Sequence, residues 1–235
     1  MKNLIKKLLI NFYRRLLLKK AIEKLRKYEP ISIKNLVDFS FSFYVGINYK
    51  HIGICIKPTQ IRDEIEELLK IITRIKLRNI LEIGTADGGT LFLFSKIAGK
   101  NSKVISIDLP TGYPFWRTLL YKSFAQDNQK IYLIRADSHK KETLNEVKQI
   151  LSEKKLDFLF IDGDHSYYGV KKDFEMYGQL VRRGGIIAFH DIVRGIRNDA
   201  GDVWKFWKKI KSNYKYKEII KDYNQDGYGI GIVYV

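Results

Sequence analysis

The chain has 235 residues, a formal net charge of +17 at pH 7 and a single cysteine, Cys55. This length suits one α/β catalytic domain with a terminal extension, whereas the single cysteine excludes an internal disulfide and favours a reducing, cytoplasmic compartment. The sequence has no apolar run of about 18 uncharged residues, which excludes an ordinary transmembrane helix, and we expect no secretory leader because no small-residue cleavage site follows the basic N-terminus.

Positive charge is the strongest bias in the composition. An excess of Lys and Arg attracts polyanions such as nucleic acids and anionic membranes. The lysines are spread along the whole chain, however, so a background bias in composition explains them equally well. Only the N-terminus clearly concentrates basic residues.

Residues 2–28 predict a basic amphipathic helix, because apolar residues recur at helical spacing with Lys or Arg at most positions between them. Such a helix packs on the domain or on a second copy of the chain in a homo-oligomer, or residues 1–28 make a peripheral contact with an anionic membrane. The apolar stripe consists of Leu4, Ile5, Leu8, Leu9, Phe12, Leu16, Ile22 and Leu25.

Pro30 ends this helix, and the aromatic-rich residues 31–58 predict irregular structure or a short cap. From Thr59, a capping residue, the pattern predicts a helix over residues 60–76. We therefore divide the chain into an N-terminal amphipathic helix with a cap segment, residues 1–58, and a catalytic domain, residues 59–235.

Beyond this helix, short apolar runs alternate with amphipathic segments, which is typical of a doubly wound α/β sheet. Strands are predicted over residues 79–83, 103–107, 131–135, 156–161, 185–189, 216–221 and 229–234. Helices are predicted over residues 89–98, 114–126, 140–153, 166–181 and 202–212. The final two strands predict a hairpin. The expected fold class is therefore α/β, with a seven-stranded, mostly parallel sheet whose last strand is antiparallel.

Glycines and carboxylates follow the first three strands of this sheet. Gly84, Gly88 and Gly89 follow the first strand, and their spacing differs from the G-x-G-x-x-G of dinucleotide-binding proteins. Asp108 ends the second strand, where a carboxylate can accept both hydroxyl hydrogens of a ribose. Asp137 follows the third strand, where it can read an adenine amino group, although either aspartate could instead cap a helix.

The next two strands end in acidic and imidazole groups. One apolar run stops before Asp162 and His165, and the following run stops at His190 and Asp191. The carboxyl ends of parallel strands lie at one edge of a sheet, and ligands bind at that edge. We therefore expect these side chains and the glycine-rich turn to share one crevice.

Five segments resemble the successive motifs of class I S-adenosylmethionine-dependent methyltransferases. They are LEIGTADGG, ISID, RADS, FIDGDHSYYGVKKDFE and GGIIAFHDI. The pair IDGDHSY and HDI is similar to a narrower family of small-molecule O-methyltransferases, which includes the macrolide-sugar enzymes acting on macrocin and mycinamicin and cephalosporin hydroxylase-like relatives. The resemblance covers residues 59–235 and implies nothing about the N-terminal segment.

The resemblance implies roles for the matching residues. His165 falls where the sugar methyltransferases keep a catalytic base, and the implied metal ligands are Asp162, His190 and Asp191. In the macrolide-sugar relatives the residue at the place of His190 is acidic. Magnesium prefers oxygen ligands and imidazole suits Mn²⁺ better, so either the cation is Mn²⁺ rather than Mg²⁺ or His190 is a second acid/base group. The implied contacts to S-adenosyl-L-methionine are Glu82, Gly84, Thr85, Gly88, Asp108, Ala136, Asp137 and Asp162.

The expected function is thus O-methyl transfer from S-adenosylmethionine, assisted by a divalent cation, to a hydroxyl of a sugar or another small molecule. Two alternatives stay open: an RNA- or DNA-modifying methyltransferase that uses the basic surface, and a non-catalytic cofactor-binding protein of the same fold. A nucleic-acid substrate is disfavoured for two reasons. The chain lacks the Asn/Asp-Pro-Pro-Tyr motif expected for amino-group methylation. Its single cysteine, Cys55, precedes the cofactor motifs, which is the wrong place for the nucleophile of a cytosine-C5 methyltransferase. Acceptor specificity is expected to lie in residues 31–58 and 109–118.

Overall fold

The computed structural model describes residues 2–47, 52–196 and 201–235, with the side chains of the first helix described from Tyr13 onward. The described residues form an α/β fold, as predicted. The helices are α1 (Lys2–Arg26), α2 (Ile33–Ser42), α3 (Arg62–Ile72), α4 (Gly89–Ile97), α5 (Arg117–Lys122), α6 (Lys141–Leu151), α7 (Tyr167–Tyr177) and α8 (Val203–Ile210). The strands are β1 (Tyr44–Ile47), β2 (Ile52–Cys55), β3 (Asn79–Ile83), β4 (Lys103–Asp108), β5 (Lys130–Arg135), β6 (Leu156–Ile161), β7 (Val181–His190), β8 (Lys215–Ile219) and β9 (Ile230–Tyr234).

Seven strands form the central sheet in the order β5, β4, β3, β6, β7, β9, β8. The pairs from β5 to β7 are parallel, whereas β9 is antiparallel to both of its neighbours. This confirms the predicted sheet and the predicted pairing of its last two strands. The chain runs outward from β3 to β5 and then returns to β6, beside β3. The topological switch point therefore lies between the carboxyl ends of β3 and β6, which is where ligands bind in open α/β sheets.

The central strands are buried on both faces, which is why they read as continuous apolar runs in the sequence. All residues of β3 and β6 are buried. Along β6, Phe158 and Phe160 pack into the core cluster on one face, and Leu159 and Ile161 pack into the cluster on the other. Two apolar layers thus hold the carboxyl ends of these strands in fixed positions.

The described parts of residues 31–58 contain regular elements, so the prediction of irregular structure or a short cap is wrong for α2, β1 and β2. Ser32 caps α2, because its Oγ accepts a hydrogen bond from the Asn35 N–H at 3.0 Å. Ser40 Oγ donates to the Ile56 carbonyl at 2.8 Å and joins the helix to the segment that follows β2. The two strands have four residues each, which is too short for alternation to be recognised in the sequence.

The described part of α1 packs on the domain. Leu17, Leu18, Ala21 and Leu25 are buried in the core cluster, whereas Leu16, predicted as part of the apolar stripe, is 44% exposed. Association of α1 with a second copy or with a membrane stays a prediction, and so does the division of the chain at residue 58. Within the described residues, none of the helices combines the length and the apolar character that crossing a bilayer requires.

Helix α3 begins at Arg62, later than predicted, and its N-cap residue Ile61 makes no side-chain capping bond. Thr59 is therefore not the capping residue. Gln60, predicted as the first residue of the helix, precedes it and hydrogen-bonds to Asp162 at the edge of the sheet. The five helices from α4 to α8 lie within their predicted ranges.

Candidate active site

A cavity of about 940 Å³ opens at the carboxyl ends of β3, β6 and β7. The sheet edge contributes Gly84, Thr85, Ala86, Asp87, Asp162, His165, His190 and Asp191 to its lining. The N-terminal segment contributes Phe41, Ser42, Phe43, Tyr44, Cys55 and residues 57–62, and the loop before β9 contributes Asp226, Gly227 and Tyr228. The expected crevice is therefore present, and one wall of it comes from residues 31–58, whose role in acceptor specificity stays a prediction.

The glycine-rich turn after β3 lies directly against the end of β6. Gly84 has a φ of +99°, and a Cβ at this position would lie 2.0 Å from the Asp162 carbonyl oxygen. Gly88 has a φ of +77°, and a Cβ there would overlap the ring of Tyr121. Both positions therefore require glycine, for the backbone conformation and for the close approach.

Asp108 holds the same turn through its carboxylate. Its Oδ2 accepts hydrogen bonds from the Thr85 and Ala86 N–H groups, both at 2.9 Å, and its Oδ1 accepts one from the Leu109 N–H at 2.7 Å. Two carboxylate oxygens offer about four acceptor positions, so about one is left for a ribose hydroxyl. Asp108 lies beside the described lining of the cavity rather than in it, and its ribose contact stays a prediction.

Glu82 lies beneath the turn and is fully buried. Its Oε1 accepts a hydrogen bond from Ser106 Oγ at 2.6 Å, and Ser106 Oγ is also 2.6 Å from Thr85 Oγ1. Burial raises the pKa of Glu82 to about 8, so its carboxyl group is neutral at neutral pH. The structure thus places Glu82 under the site, as a support for Thr85, and its contact with the cofactor stays a prediction.

Ala136 and Asp137 follow β5 at the same edge of the sheet. Asp137 Oδ1 accepts a hydrogen bond from the His139 N–H at 2.8 Å, and the Asp137 carbonyl accepts one from Thr143 Oγ1 at 2.7 Å. Asp137 thus makes the turn that precedes α6. The described lining of the cavity does not extend to these two residues, and their contact with adenine stays a prediction.

Asp162, His165, His190 and Asp191 meet at the ends of β6 and β7, as the sequence predicts. Asp162 Oδ1 lies 3.0 Å from His190 Nδ1 and 3.5 Å from His165 Nε2. Asp191 Oδ2 lies 3.3 Å from His165 Nδ1 and 3.4 Å from His190 Nδ1. Two carboxylates thus alternate with two imidazoles around one end of the cavity.

Asp191 has a φ of +61°, a left-handed conformation that is uncommon for a residue other than glycine. Its Oδ1 accepts a hydrogen bond from the Tyr228 N–H at 3.0 Å, which ties it to the loop before β9. Backbone outliers of this kind persist where the surrounding structure holds them, and they cluster at functional sites.

The charges in this cluster are strongly coupled. Burial alone would raise the pKa of Asp162, but the charge on His190 and the hydrogen bond from His165 lower that pKa. Burial alone would lower the pKa of His190, but the Asp162 and Asp191 carboxylates raise it well above its usual range. His190 is therefore held as a buried cation between two carboxylates.

Asp162, His165 and Asp191 each offer a ligand atom, and the three atoms lie within 4.8 Å of one another. His190, implied as a metal ligand, is placed differently: it turns Nδ1 toward the carboxylates. Its buried Nε2 has no hydrogen-bond partner among the described residues. His165 forms a possible ligand set with the two carboxylates, and the role of His190 as a metal ligand stays a prediction.

Gln60 is a site residue that the sequence did not indicate. It is 3% exposed, lines the cavity and donates a hydrogen bond from Nε2 to Asp162 Oδ2 at 2.7 Å. Residues 109–118, in contrast, lie outside the described lining, and Tyr113 in that segment is buried. The side walls of the cavity come from the N-terminal segment and the loop before β9 instead.

Comparisons with known proteins agree with this geometry. Residues 81–192 match a family model described as a methyltransferase domain. The uncharacterized protein y4gI of Sinorhizobium fredii (strain NBRC 101917 / NGR234) is 24% identical over 146 residues. That match covers 60% of this chain and 16% of y4gI, so the chain spans about one sixth of this curated relative.

Solved structures of O-methyltransferases share the fold. The O-methyltransferase from Bacillus cereus, solved in complex with SAH, is 18% identical with a TM-score of 0.55, and the match covers 96% of this chain and 100% of that one. TomG from Streptomyces achromogenes, an O-methyltransferase of tomaymycin synthesis solved with SAM, is 16% identical with a TM-score of 0.52, over 72% and 78% of the two chains. The narrower resemblance to the macrocin and mycinamicin enzymes stays a prediction. Residues 81–192 thus match a methyltransferase domain, and the described residues share the Rossmann-like fold of O-methyltransferases of known structure.

Proposed function

We propose that the protein is an S-adenosylmethionine-dependent O-methyltransferase that acts on a hydroxyl of a small molecule. The observation that carries this proposal is the meeting of the glycine-rich turn with Asp162, His165 and Asp191 in one cavity at the topological switch point. The volume of about 940 Å³ lies within the range of about 300 to 1,000 Å³ that small-ligand pockets occupy. The structural relatives that carry SAM or SAH are O-methyltransferases, which supports the same reaction class.

The cofactor fits the side of the cavity where backbone is exposed. Gly84 and Thr85 line the cavity without a bulky side chain, and Asp162 adds a carboxylate beside them. Bound S-adenosylmethionine would supply an electrophilic methyl group on a sulfonium centre. The role of the chain is to hold this group and to place the acceptor oxygen in line with it.

His165 is proposed as the base that takes the proton of the acceptor hydroxyl. Its side chain is 34% exposed, so the imidazole can reach a ligand in the cavity. Asp191 Oδ2 lies 3.3 Å from its Nδ1 and can accept the Nδ1–H, which would orient the ring and leave Nε2, 3.5 Å from Asp162, as the nitrogen that takes the proton. Imidazole suits this task near neutral pH because its ordinary pKa is close to 6.5.

A divalent cation is a further part of the proposal. Asp162, Asp191 and His165 would hold it, since two carboxylate oxygens and one imidazole lie close enough together. Oxygen ligands favour Mg²⁺ and the imidazole favours Mn²⁺. The cation would lower the pKa of an acceptor hydroxyl. If His165 serves as a ligand it is not free to act as the base, so the two roles of His165 are alternatives.

A sugar is the proposed acceptor class. Phe41 and Tyr44 line the cavity and are not fully buried, and aromatic rings pack against the apolar faces of sugars. We also propose a cytoplasmic location, a homo-oligomer and a peripheral membrane contact of residues 1–28. Sedimentation equilibrium and flotation with anionic vesicles test the last two, and a monomer that stays with the unbound fraction would reject both.

Thermal unfolding with candidate cofactors tests the proposed function. At a concentration of about 100 times the Kd, S-adenosylmethionine should stabilise the protein by about 2.7 kcal/mol, which corresponds to a rise in Tm of about 5 to 10 °C for a chain of this size. NAD⁺ at the same concentration should leave the Tm unchanged. Equal shifts with both compounds, or none with S-adenosylmethionine, would contradict the proposal.

A further inference from the structure

Gln60 lies between the N-terminal segment and the methyltransferase motifs. It follows Pro58 and Thr59, precedes α3, and is 3% exposed. Its Nε2 donates to Asp162 Oδ2 at 2.7 Å. The amide orientation follows from chemistry, because an ionised carboxylate is an acceptor only, and a reversed amide would set two oxygens against each other.

The contact fixes the carboxylate of Asp162. Oδ2 is taken by Gln60, and Oδ1 faces His190 Nδ1 at 3.0 Å and His165 Nε2 at 3.5 Å. An aspartate carboxylate rotates easily about its last bond, whose two-fold preference is broad. A hydrogen bond to one oxygen therefore decides which oxygen faces the two imidazoles.

The other end of the Gln60 amide is unsatisfied. Gln60 Oε1 is buried and has no hydrogen-bond partner among the described residues. A buried acceptor without a donor is costly, and native proteins rarely keep one without a reason. Gln60 lines the same cavity as Gly84 and Asp162, which are in contact through the close approach of Gly84 to the Asp162 carbonyl. The unpaired oxygen therefore belongs to a side chain that lines the cofactor side of the cavity.

We propose that Gln60 is a positioning residue for Asp162 and that its Oε1 accepts a hydrogen bond from the amino group of the amino-acid end of the bound cofactor. This inference rests on the proposed function. A cationic amino group is the matching donor, because the neighbouring carboxylate of Asp162 supplies negative charge next to the amide oxygen.

The cofactor half of the proposal is tested by calorimetric titration with two probes. S-adenosylhomocysteine carries the amino-acid end, and 5′-methylthioadenosine lacks it. Gln60→Met keeps the length of the side chain and removes both amide groups. We expect it to weaken S-adenosylhomocysteine about tenfold or more and to change the affinity for 5′-methylthioadenosine less than twofold. Equal losses for both probes, or no loss for either, would overturn this half.

The positioning half is tested by the ¹⁵N chemical shifts of the histidine rings at one fixed pH. In Gln60→Met the ring signals of His165 and His190 should move, because the Asp162 carboxylate that faces them is no longer fixed. Unchanged signals would overturn the positioning role. This measurement does not need the cofactor. If the wild-type protein bound neither probe, the proposed function would be contradicted, and the ¹⁵N chemical shifts would still test the positioning role.

Gln129 provides a matched control. It is a buried glutamine whose Nε2 donates to the carbonyls of Ser95, Ala98 and Gly99, and it lies outside the lining of the cavity. Gln129→Met should lower the free energy of unfolding without changing the affinity for either probe or the ring signals of His165 and His190. Gln60→Asn, which keeps the amide but shortens its reach, is a second variant and should show the same selective loss as Gln60→Met.

Discussion

Glu82 links the stability of the fold to pH. Its folded-state pKa of about 8 lies above the ordinary value of 4.5, because burial disfavours the ionised form. The folded state therefore binds more protons than the unfolded state between these two values. The contribution of Glu82 to the free energy of unfolding therefore falls as pH rises from about 4.5 to about 8. The fall is at most about 5 kcal/mol, and above this window the contribution of Glu82 is constant.

Urea unfolding of the wild type and Glu82→Gln at pH 5 and pH 8 measures this contribution. The amide that replaces the carboxyl group does not ionise, so the variant should lose less stability than the wild type over the same interval. The difference between the two proteins isolates Glu82 from the other titrating groups. Parallel pH dependences of the two proteins would contradict the buried, protonated state of Glu82.

His165 carries the proposed proton transfer. His165→Ala should lower methyl transfer by about 10²- to 10⁴-fold, the usual contribution of general base catalysis, and should leave the affinity for S-adenosylhomocysteine within a few-fold of the wild type. Its matched control is His139→Ala, because His139 lies outside the described lining and its Nε2 is 3.3 Å from the buried Asp173. Turnover of the control should stay near that of the wild type.

Calorimetric titration with Mn²⁺ separates the two roles proposed for His165. If His165 is the base, His165→Ala should bind Mn²⁺ better than Asp162→Asn does, since the carboxylates hold the cation. Unchanged turnover of His165→Ala would contradict the role of His165 as the base. If His165→Ala lost as much Mn²⁺ binding as Asp162→Asn, His165 would be a metal ligand instead.

At the scale of elements, α1 is packed as part of the fold. Leu25 is 1% exposed and Leu16 is 44% exposed, although both belong to the predicted apolar stripe. Leu25→Ala should lower the free energy of unfolding by about 2 to 5 kcal/mol, as for other buried leucines. Leu16→Ala should change it by less than about 0.5 kcal/mol. Denaturant unfolding with the same midpoint for Leu25→Ala and the wild type would show that α1 is not integral to the fold.

The strands of the central sheet were predictable because burial on both faces leaves continuous apolar runs, and β3 and β6 have the predicted bounds. The elements α2, β1 and β2 were not, since the aromatic-rich residues 31–58 show only weak alternation and the two strands have four residues each. The wall that this segment contributes to the cavity was hidden for the same reason.

At the candidate site, the sequence predicted the cluster of Asp162, His165, His190 and Asp191 because each follows a buried strand. Gln60 could not be predicted in the same way. Its partner Asp162 lies 102 residues away along the chain, and no local pattern distinguishes it from a residue in the first turn of a helix. The burial of Glu82 could not be predicted either, because it depends on the glycine-rich turn that packs above this residue.

At the scale of the whole molecule, the positive charge and the methyltransferase fold are separate properties. The charge of +17 is a property of the entire composition, whereas the cavity is lined by residues of both signs, the acidic Asp87, Asp162, Asp191 and Asp226 and the basic Lys57 and Arg62. The overall charge therefore does not select the acceptor, and a small hydroxyl compound stays the proposed substrate.

Transfer of an isotope-labelled methyl group tests the central claim most directly. The full chain is incubated with S-adenosylmethionine labelled in its methyl group, Mg²⁺ or Mn²⁺, and a panel of sugars and hydroxylated metabolites, and the products are analysed by mass spectrometry. The account predicts a small-molecule product that carries the label on oxygen and is lost in Asp162→Asn. Label recovered in RNA or DNA, or a protein that binds S-adenosylmethionine and transfers no label to any acceptor, would contradict it.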